Sequence, residues 1–287
     1  MKKSIYNIIL ISGTDRYQFL QGLITQDINK ISALYSIPSA ICNIKGRVIS
    51  TCNIVKLKDS IGLAVPTSMT NKVIDHLSLY QLRSDIKIKN SNKKYTAIAV
   101  NTKNLHSKSH LDLLALIDNL KKKGLIATNK SKKQDYVEIY GDKNTIDNFV
   151  IKTTQLLSEK EWSNAKIKSG LVDINKKTSE LYTPHMLNLD LIGAISFDKG
   201  CYTGQEIVAR TENLGRVKRR VNRYKLSTDK AKIGDELTLN NNKIGAIINV
   251  AKNNILAVTN VDNHQDVLEY KTYFAKPIEL NYSLKHF

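Results

Sequence analysis

The chain has 287 residues, 41% of them hydrophobic, and is long enough for two domains, or one large domain, with a sizeable core. Its apolar runs are too short to span a bilayer, and its first residues lack the apolar run and cleavage site of a signal peptide. Three cysteines without a C-x-x-C pair argue against a disulfide framework and against a self-contained zinc site. We therefore expect a cytoplasmic protein.

The formal net charge of +18 suggests a nucleic-acid partner, because basic residues that neutralise phosphates dominate such binding. Basic residues cluster at positions 121–123, 130–133 and 218–223. The excess is mostly lysine, however, and it accompanies many isoleucines and asparagines, a joint bias that an A/T-rich coding sequence produces. No aromatic RNA-binding motif or zinc finger accompanies the lysines. Nucleic-acid binding through a basic surface is therefore the alternative hypothesis.

The first half of the chain predicts alternating strands and helices. Residues 16–23 predict an amphipathic helix, because Phe19, Leu20 and Leu23 recur at helical spacing. Gly46 can adopt a positive φ, which favours a tight turn between two strands. By the same periodicities, strands are predicted at residues 8–11, 36–42, 47–57, 61–65, 85–89 and 95–100, and helices at residues 71–81 and 111–123.

The second half changes character near Gly215. Before it, the pattern predicts a strand at residues 136–139, a helix at 144–157, and a short helix at 167–170 that leads into a strand at 171–174. After it, five short β-like runs separated by turn residues predict a small antiparallel barrel or sandwich, at residues 217–226, 236–239, 243–250, 255–261 and 267–275. The fold class that follows is α+β, with a domain boundary near residue 215.

The segment with the most distinctive chemistry places Cys201 beside Lys199, between two glycines and just ahead of a predicted helix. The spacing of Thr203 and Glu206 predicts a capping box with Thr203 as the N-cap residue. A thiol near a helix N-terminus and a lysine is favoured as thiolate, the form that attacks electrophiles or binds metal. The pattern alone is equally compatible with a small buried cysteine in a turn.

This segment and its flanks resemble the YgfZ family, the folate-binding relatives of the glycine-cleavage T-protein that are implicated in iron–sulfur cluster assembly and repair. Further matches at residues 18–27, 46–48, 80–85 and 184–189 extend the resemblance along most of the chain. The family signature K-G-C-[FY]-x-G-Q-E is matched by Lys199, Gly200, Cys201, Tyr202, Thr203, Gly204, Gln205 and Glu206.

The resemblance implies a T-protein-like α/β region of antiparallel sheets and helices over residues 1–214, in two subdomains, and an antiparallel β-barrel over residues 215–287. The implied cofactor is tetrahydrofolate or a related folate, with a transient iron–sulfur cluster as a further candidate. The implied partners are iron–sulfur client or carrier proteins. Because one such client is a tRNA methylthiolation enzyme, the resemblance also implies indirect support of tRNA modification, with tRNA itself as an alternative partner.

Three residues are candidates for folate binding. Trp162, the only tryptophan, stands at the spacing where the family carries a pterin-contacting aromatic residue, and Tyr6 matches a second such position. Aromatic faces suit a flat heterocycle with polar edges. Arg47 is a candidate for attracting the anionic glutamate tail of a folate. The structural alternative is that both rings are packing residues and that Arg47 is a solvated residue at a hairpin tip.

One departure from T-proteins bears on enzymatic activity. In the T-protein hairpin an acidic side chain works on the folate nitrogen during aminomethyl transfer, whereas the matching residues here are Ser50 and Thr51. A hydroxyl of ordinary pKa cannot act as the base at neutral pH. We therefore expect that the chain is not an aminomethyltransferase, and whether it turns over any other reaction stays open.

Three functional roles for Cys201 follow from the resemblance: a transient iron–sulfur ligand, a thiol that exchanges with another protein, or a thiol that reacts with a folate-derived one-carbon unit. One cysteine cannot hold a cluster alone, since four ligands are usual, so no permanent metal site is expected. Lys199 is expected to favour the thiolate, and Tyr202 and Gln205 to position a ligand. Arg210 lies four residues after Glu206 and is expected to pair with it.

Overall fold

A computed structural model describes residues 4, 6–91, 93–102, 110–128, 135–153 and 156–284. None of the helices within these ranges is both long and apolar enough to cross a membrane. The helices are α1 Arg16–Gln21, α2 Thr70–Ser78, α3 His110–Lys122, α4 Lys143–Thr153, α5 Glu159–Lys168 and α6 Gln205–Leu214. The strands that precede α6 are β1 Asn7–Ser12, β2 Tyr35–Cys42, β3 Val48–Lys56, β4 Ile61–Val65, β5 Lys87–Asn90, β6 Tyr95–Asn101, β7 Ile126–Thr128 and β8 Tyr136–Asp142.

These eight strands form one mixed sheet in the order β5-β1-β4-β3-β2-β7-β8-β6. All recorded neighbours are antiparallel except β2 and β7, which run parallel. All five residues of β4 are buried, as expected for a strand covered on both faces. One core packs under α1 and α2, and a second packs under α3. The apolar patterning of these helices therefore predicts correctly which elements cover the sheet.

A closed antiparallel barrel follows α6, with the strand order β10-β11-β12-β9-β14-β13. The fifth predicted β-run is in fact a hairpin of two strands, because Lys271 takes a positive φ of 54° at its turn. The predicted α+β class with a C-terminal barrel is confirmed, and the division into residues 1–214 and 215–287 stays a prediction. The barrel strands are β9 Arg219–Leu226, β10 Glu236–Leu239, β11 Asn242–Ala251, β12 Asn254–Asn260, β13 Leu268–Tyr270 and β14 Tyr273–Ile278.

The largest local correction concerns α5, which begins well before the short helix predicted at residues 167–170. A capping box in which Ser158 and Glu161 bond reciprocally starts this helix, and the sequence interpretation missed it. Residues 171–174 are not a strand, because their backbone bonds to side chains instead of a strand partner: the amide of Ile174 donates to Thr51 Oγ1. The basic cluster at residues 130–133 lies outside the described residues.

Candidate functional site

A cavity of about 330 Å³ lies between the sheet, α5 and the chain segments that join the sheet to the barrel. This volume is at the lower end of the range for small-molecule sites. One wall is apolar and includes Pro38, Leu171, Leu189 and Ile192. The polar lining groups come from the residue before β1, from β3, β8 and α5, and from the segment after α5; they include Tyr6, Asn53, Glu138, Lys166 and Asp173.

Glu138 places a carboxylate in this cavity although the residue is only 3% exposed. Its oxygens accept hydrogen bonds from Trp162 Nε1 at 2.9 Å, Tyr140 Oη at 2.6 Å and Asn53 Nδ2 at 3.3 Å. Burial raises the pKa of Glu138, while the nearby Lys166 ammonium and two of these hydrogen bonds act in the opposite direction. Glu138 is therefore a fixed buried acceptor at the cavity wall.

A second polar group centres on Lys166, whose ammonium forms an ion pair with Asp173 and donates to Tyr6 Oη at 2.5 Å. The ammonium also lies 4.9 Å from the Tyr6 ring centroid and 4.7 Å from that of Trp162, within cation–π range. Burial is the main cause that raises the pKa of Tyr6, so its phenol stays protonated at neutral pH. The cavity thus holds a cation, a carboxylate and an aromatic ring in mutual contact.

The structure places the three predicted folate residues differently. Tyr6 lines the cavity, whereas Trp162 lies behind that wall, edge-on to Tyr6 with 5.0 Å between ring centroids. Trp162 holds Glu138 in position through its indole N–H. Arg47 is not among the cavity-lining residues and donates to the carbonyl oxygen of Leu181 at 2.8 Å. Folate contact by these residues stays a prediction, and the geometry favours Tyr6.

The cavity also contains two carboxylates that the comparison with the T-protein hairpin at Ser50 and Thr51 did not predict. Thr51 lines the cavity and Ser50 is buried beside it, as hydroxyls without charge. Glu138 and Asp173 nevertheless bring carboxylates into the same cavity from other segments. The sequence carried one usable signal, since the alternation of β8 puts Glu138 on the same buried face as Tyr136 and Tyr140. A charged residue between two tyrosines on such a face indicates a site.

Cys201 lies outside this cavity, in the turn before α6. It is exposed, so the interpretation of Cys201 as a small buried residue is wrong. The predicted capping box is also wrong, because the N-cap residue is Gly204, with a φ of 81° and no side-chain cap. A Cβ at Gly204 would lie 2.4 Å from the carbonyl oxygen of Asn43, so the turn packs tightly on the β2–β3 hairpin.

Lys199 serves this turn as a structural clamp. Its ammonium donates to the carbonyl oxygens of Gln21 at 2.6 Å, Ile24 at 2.8 Å and Gln26 at 3.2 Å, at the end of α1. Burial lowers the pKa of Lys199 to about 8. The backbone acceptors hold the ammonium in place, which gives Lys199 a positioning role in the turn, and its effect on the thiol stays a prediction.

The other motif side chains also stabilise the turn and the helix. The Gln205 amide oxygen accepts from the backbone N–H of Tyr202 at 3.0 Å, and the Tyr202 ring is buried. Glu206 accepts from Arg210 Nη2 at 2.8 Å, which confirms the predicted pair. Cys201 is therefore an exposed thiol on a turn that the neighbouring motif side chains hold in shape.

We expect selective alkylation of Cys201 in the native protein. Burial raises the pKa of Cys42 and Cys52 to about 12, so neither thiol is ionised at pH 8, whereas Cys201 is exposed. Iodoacetamide at pH 8 should add one label per native chain and three per unfolded chain, counted by mass spectrometry. Cys201→Ser should abolish native labelling, and rapid native labelling of a second thiol would contradict the assignment.

The mixed sheet with its helices and the closed C-terminal barrel together form a fold like that of the glycine-cleavage aminomethyltransferases. The solved structure of glycine cleavage system aminomethyltransferase T from Bartonella henselae matches with a TM-score of 0.69. The match covers 97% of this chain and 84% of that chain, at 12% sequence identity. The predicted T-protein-like architecture is therefore confirmed at the level of the fold.

The sequence relatives identify the family. A protein of Colwellia psychrerythraea named tRNA-modifying protein YgfZ is 30% identical over 221 residues, which cover 75% of this chain and 68% of that protein. The protein of the same name from Blochmanniella pennsylvanica is 25% identical over 92% of this chain and 92% of its own length. The one from Buchnera aphidicola (from Schizaphis graminum) is 28% identical over 91% of this chain and 83% of its own length. No family model matches the chain. The chain belongs to the YgfZ family.

Proposed function

We propose that this protein is a folate-binding accessory factor for the assembly or repair of iron–sulfur clusters in client enzymes, with Cys201 as its reactive residue. Through such clients it would support tRNA modification indirectly, in keeping with the name of its relatives. The observation that carries the proposal is the cavity in which buried polar groups face an apolar wall, on the fold of a glycine-cleavage aminomethyltransferase.

The cavity residues fit the pterin end of a folate. A pterin has flat faces and an edge rich in N–H donors, and the Glu138 carboxylate is a buried acceptor for such donors. The Ser36 hydroxyl is also buried at the wall and has no hydrogen-bond partner among the described residues, so a bound ligand can satisfy it. Tyr6 offers a ring with its ammonium neighbour Lys166, and the apolar wall offers the facing surface.

The thiol and the cavity would have separate tasks. Cys201 is exposed and does not line the cavity, so a partner protein can reach it without entering the folate site. One thiolate is insufficient for a cluster, so any cluster would be cargo that shares its remaining ligands with a partner or with small thiols. Folate would act on the shape of the segments that join both sites, since Ala194 of the motif's flank lines the cavity.

Folate binding is tested by titrating tetrahydrofolate while recording the fluorescence of Trp162, the single tryptophan. A ligand beside Tyr6 and Glu138 should change this emission, because both residues contact the indole. A saturable change is expected, and its absence at millimolar folate would contradict the proposal. Salt-sensitive tRNA binding without any folate response would instead favour the tRNA-binding alternative.

The thiol is tested in cells that lack the native protein, by assaying an iron–sulfur enzyme after complementation. Cys201→Ser should leave protein level and folate binding intact, because the side chain is exposed, and should lower the enzyme's activity to that of the unrescued cells. Asp198→Asn, an exposed change in the same turn, is the matched control and should rescue fully. Full rescue by Cys201→Ser would remove its assigned role while leaving folate binding untouched.

A residual one-carbon transferase is the less favoured candidate. The uncharged Ser50 and Thr51 at the hairpin disfavour it.

A further inference from the structure

The barrel carries an uneven distribution of charge. Basic residues stand on the outward faces of β9 and β14, whereas β10 and β13, with the turns before them, hold Asp235, Glu236, Asp266 and Glu269. In the strand order, β9 lies across the barrel from β10 whereas β14 and β13 are neighbours, so the basic and acidic strands occupy separate parts of the barrel wall that meet between β14 and β13.

On the basic face, like charges lie next to one another. Lys225 on β9 is directly opposite Lys276 on β14, and both side chains are exposed. Like charges directly opposite in an antiparallel pair are destabilising. Arg223 precedes Lys225 by two residues and so lies on the same face of β9. Its Nη1 donates to the carbonyl oxygen of Lys168 at the end of α5. Arg223, Lys225 and Lys276 therefore share one basic surface, and the exposed Lys168 lies next to it where the barrel meets α5.

This surface is not neutralised by the protein itself. None of the four cations has a carboxylate within ion-pair distance in the described part of the chain, in contrast to Lys243, Arg210 and Lys72 elsewhere. Arg223 is half-buried, and its Nε finds no acceptor among the described residues. Repulsion between Lys225 and Lys276 without internal compensation is relieved when an anion binds.

An exposed aromatic ring borders the cations. Phe274 is 57% exposed and shares the outward face of β14 with Lys276, two residues later. On β13, the strand that pairs with β14 on the side away from β9, the residue opposite Phe274 is Glu269, which marks the edge of the basic region. A phenyl ring exposed beside lysines is the combination that binds unpaired nucleotides, since the cations contact phosphates and the ring stacks on a base.

We infer that the β9–β14 surface, formed by Lys168, Arg223, Lys225, Phe274 and Lys276, binds an unpaired segment of RNA, of the kind that tRNA exposes in its loops and at its end. The phosphates contact the cations and one base stacks on Phe274. These contacts read no base edge, so the binding is sequence-tolerant. This surface lies outside the folate cavity and adds a direct RNA contact to a protein whose proposed role in tRNA modification is indirect.

The test measures binding of a fluorescent tRNA transcript over a series of salt concentrations. The double variant Lys225→Glu, Lys276→Glu should bind at least roughly ten-fold more weakly, and its slope of log affinity against log salt should be shallower by roughly 1.5. The matched control is Lys87→Glu, Lys89→Glu, which makes the same charge change on the exposed edge strand β5 and should change affinity less than about two-fold.

The aromatic contact has its own readout. Phe274→Ala should weaken binding by roughly five-fold or more while leaving the salt slope unchanged, because stacking releases no counterions. Tyr80→Ala, at another exposed ring, should have no effect.

Equal losses of tRNA affinity in the two lysine double variants would assign the binding to net charge and overturn the inference. The inference would also be overturned if the protein bound vesicles that contain phosphatidylserine with the same lysine dependence and did not bind tRNA. Folate titration of each variant should match the wild type, so failure here is separable from failure of the proposed function.

Discussion

Replacing Arg220 with alanine should lower the free energy of unfolding by about 3–5 kcal/mol. The guanidinium makes a two-point contact with Asp190, at 3.0 Å and 2.8 Å, and both side chains are 1% exposed. Removing the arginine leaves a carboxylate buried without its partner, and an unpaired buried charge is among the most destabilising changes a protein can carry.

Arg220 also fixes how the barrel meets the rest of the protein. Its Nη1 donates to the carbonyl oxygen of His185 at 3.0 Å and to Asn188 Oδ1 at 3.2 Å. Asn188 itself takes a left-handed conformation, with a φ of 57°, and donates to the carbonyl oxygen of Val221. The segment that Arg220 holds continues into Leu189, a cavity-lining residue. Loss of the arginine should therefore loosen the cavity wall as well as the barrel contact.

The measurement is denaturant unfolding followed by far-UV circular dichroism. Arg219→Ala is the matched control, because Arg219 is the exposed neighbour on the same strand, and it should cost less than about 0.5 kcal/mol. The double variant Arg220→Met, Asp190→Leu removes both charges and should recover much of the loss. If Arg220→Ala were as stable as the control, the buried pair would not hold the barrel.

The basic run at residues 218–223 illustrates what sequence alone cannot resolve. Arg219 and Arg223 fall on the outer face of β9, whereas Arg220 is buried against Asp190. Strand alternation predicts that neighbouring residues face opposite sides, but it does not say that one side is a polar junction instead of an apolar core. Asp190, whose carboxylate pairs with Arg220, lies thirty residues earlier in the chain, so no local sequence pattern identifies it.

The candidate site likewise has parts that a local sequence pattern predicts and parts that it does not. The cysteine motif was predictable because it is a local pattern, and Gly204 is required there by a left-handed backbone packed on the hairpin. The clamp formed by Lys199 was not predictable, because its three acceptors lie more than 170 residues away. The cavity is likewise a product of topology, since Tyr6, Glu138 and Lys166 come from three separate parts of the chain.

Glu138→Gln should weaken tetrahydrofolate binding by roughly ten- to hundred-fold, since a hydrogen bond to a charged group contributes about 1.5–3 kcal/mol. The glutamine keeps the size of the side chain but exchanges one acceptor oxygen for an N–H donor. That donor would face either Trp162 or Tyr140, which already donate to Glu138, or the N–H edge of the ligand. Folding should not suffer comparably, because the change removes a buried charge.

The pH dependence gives this prediction a second readout. Burial raises the pKa of Glu138. As the pH falls, the wild-type carboxylate therefore takes up its proton at a higher pH than an ordinary carboxylate does. A protonated Glu138 accepts fewer hydrogen bonds, so wild-type folate affinity should fall with pH through that raised pKa, whereas the glutamine variant should lack this dependence. Fluorescence titration from pH 8 to pH 5 measures both, with the exposed change Glu279→Gln as the control. An unchanged affinity and pH profile in Glu138→Gln would exclude Glu138 from the folate site.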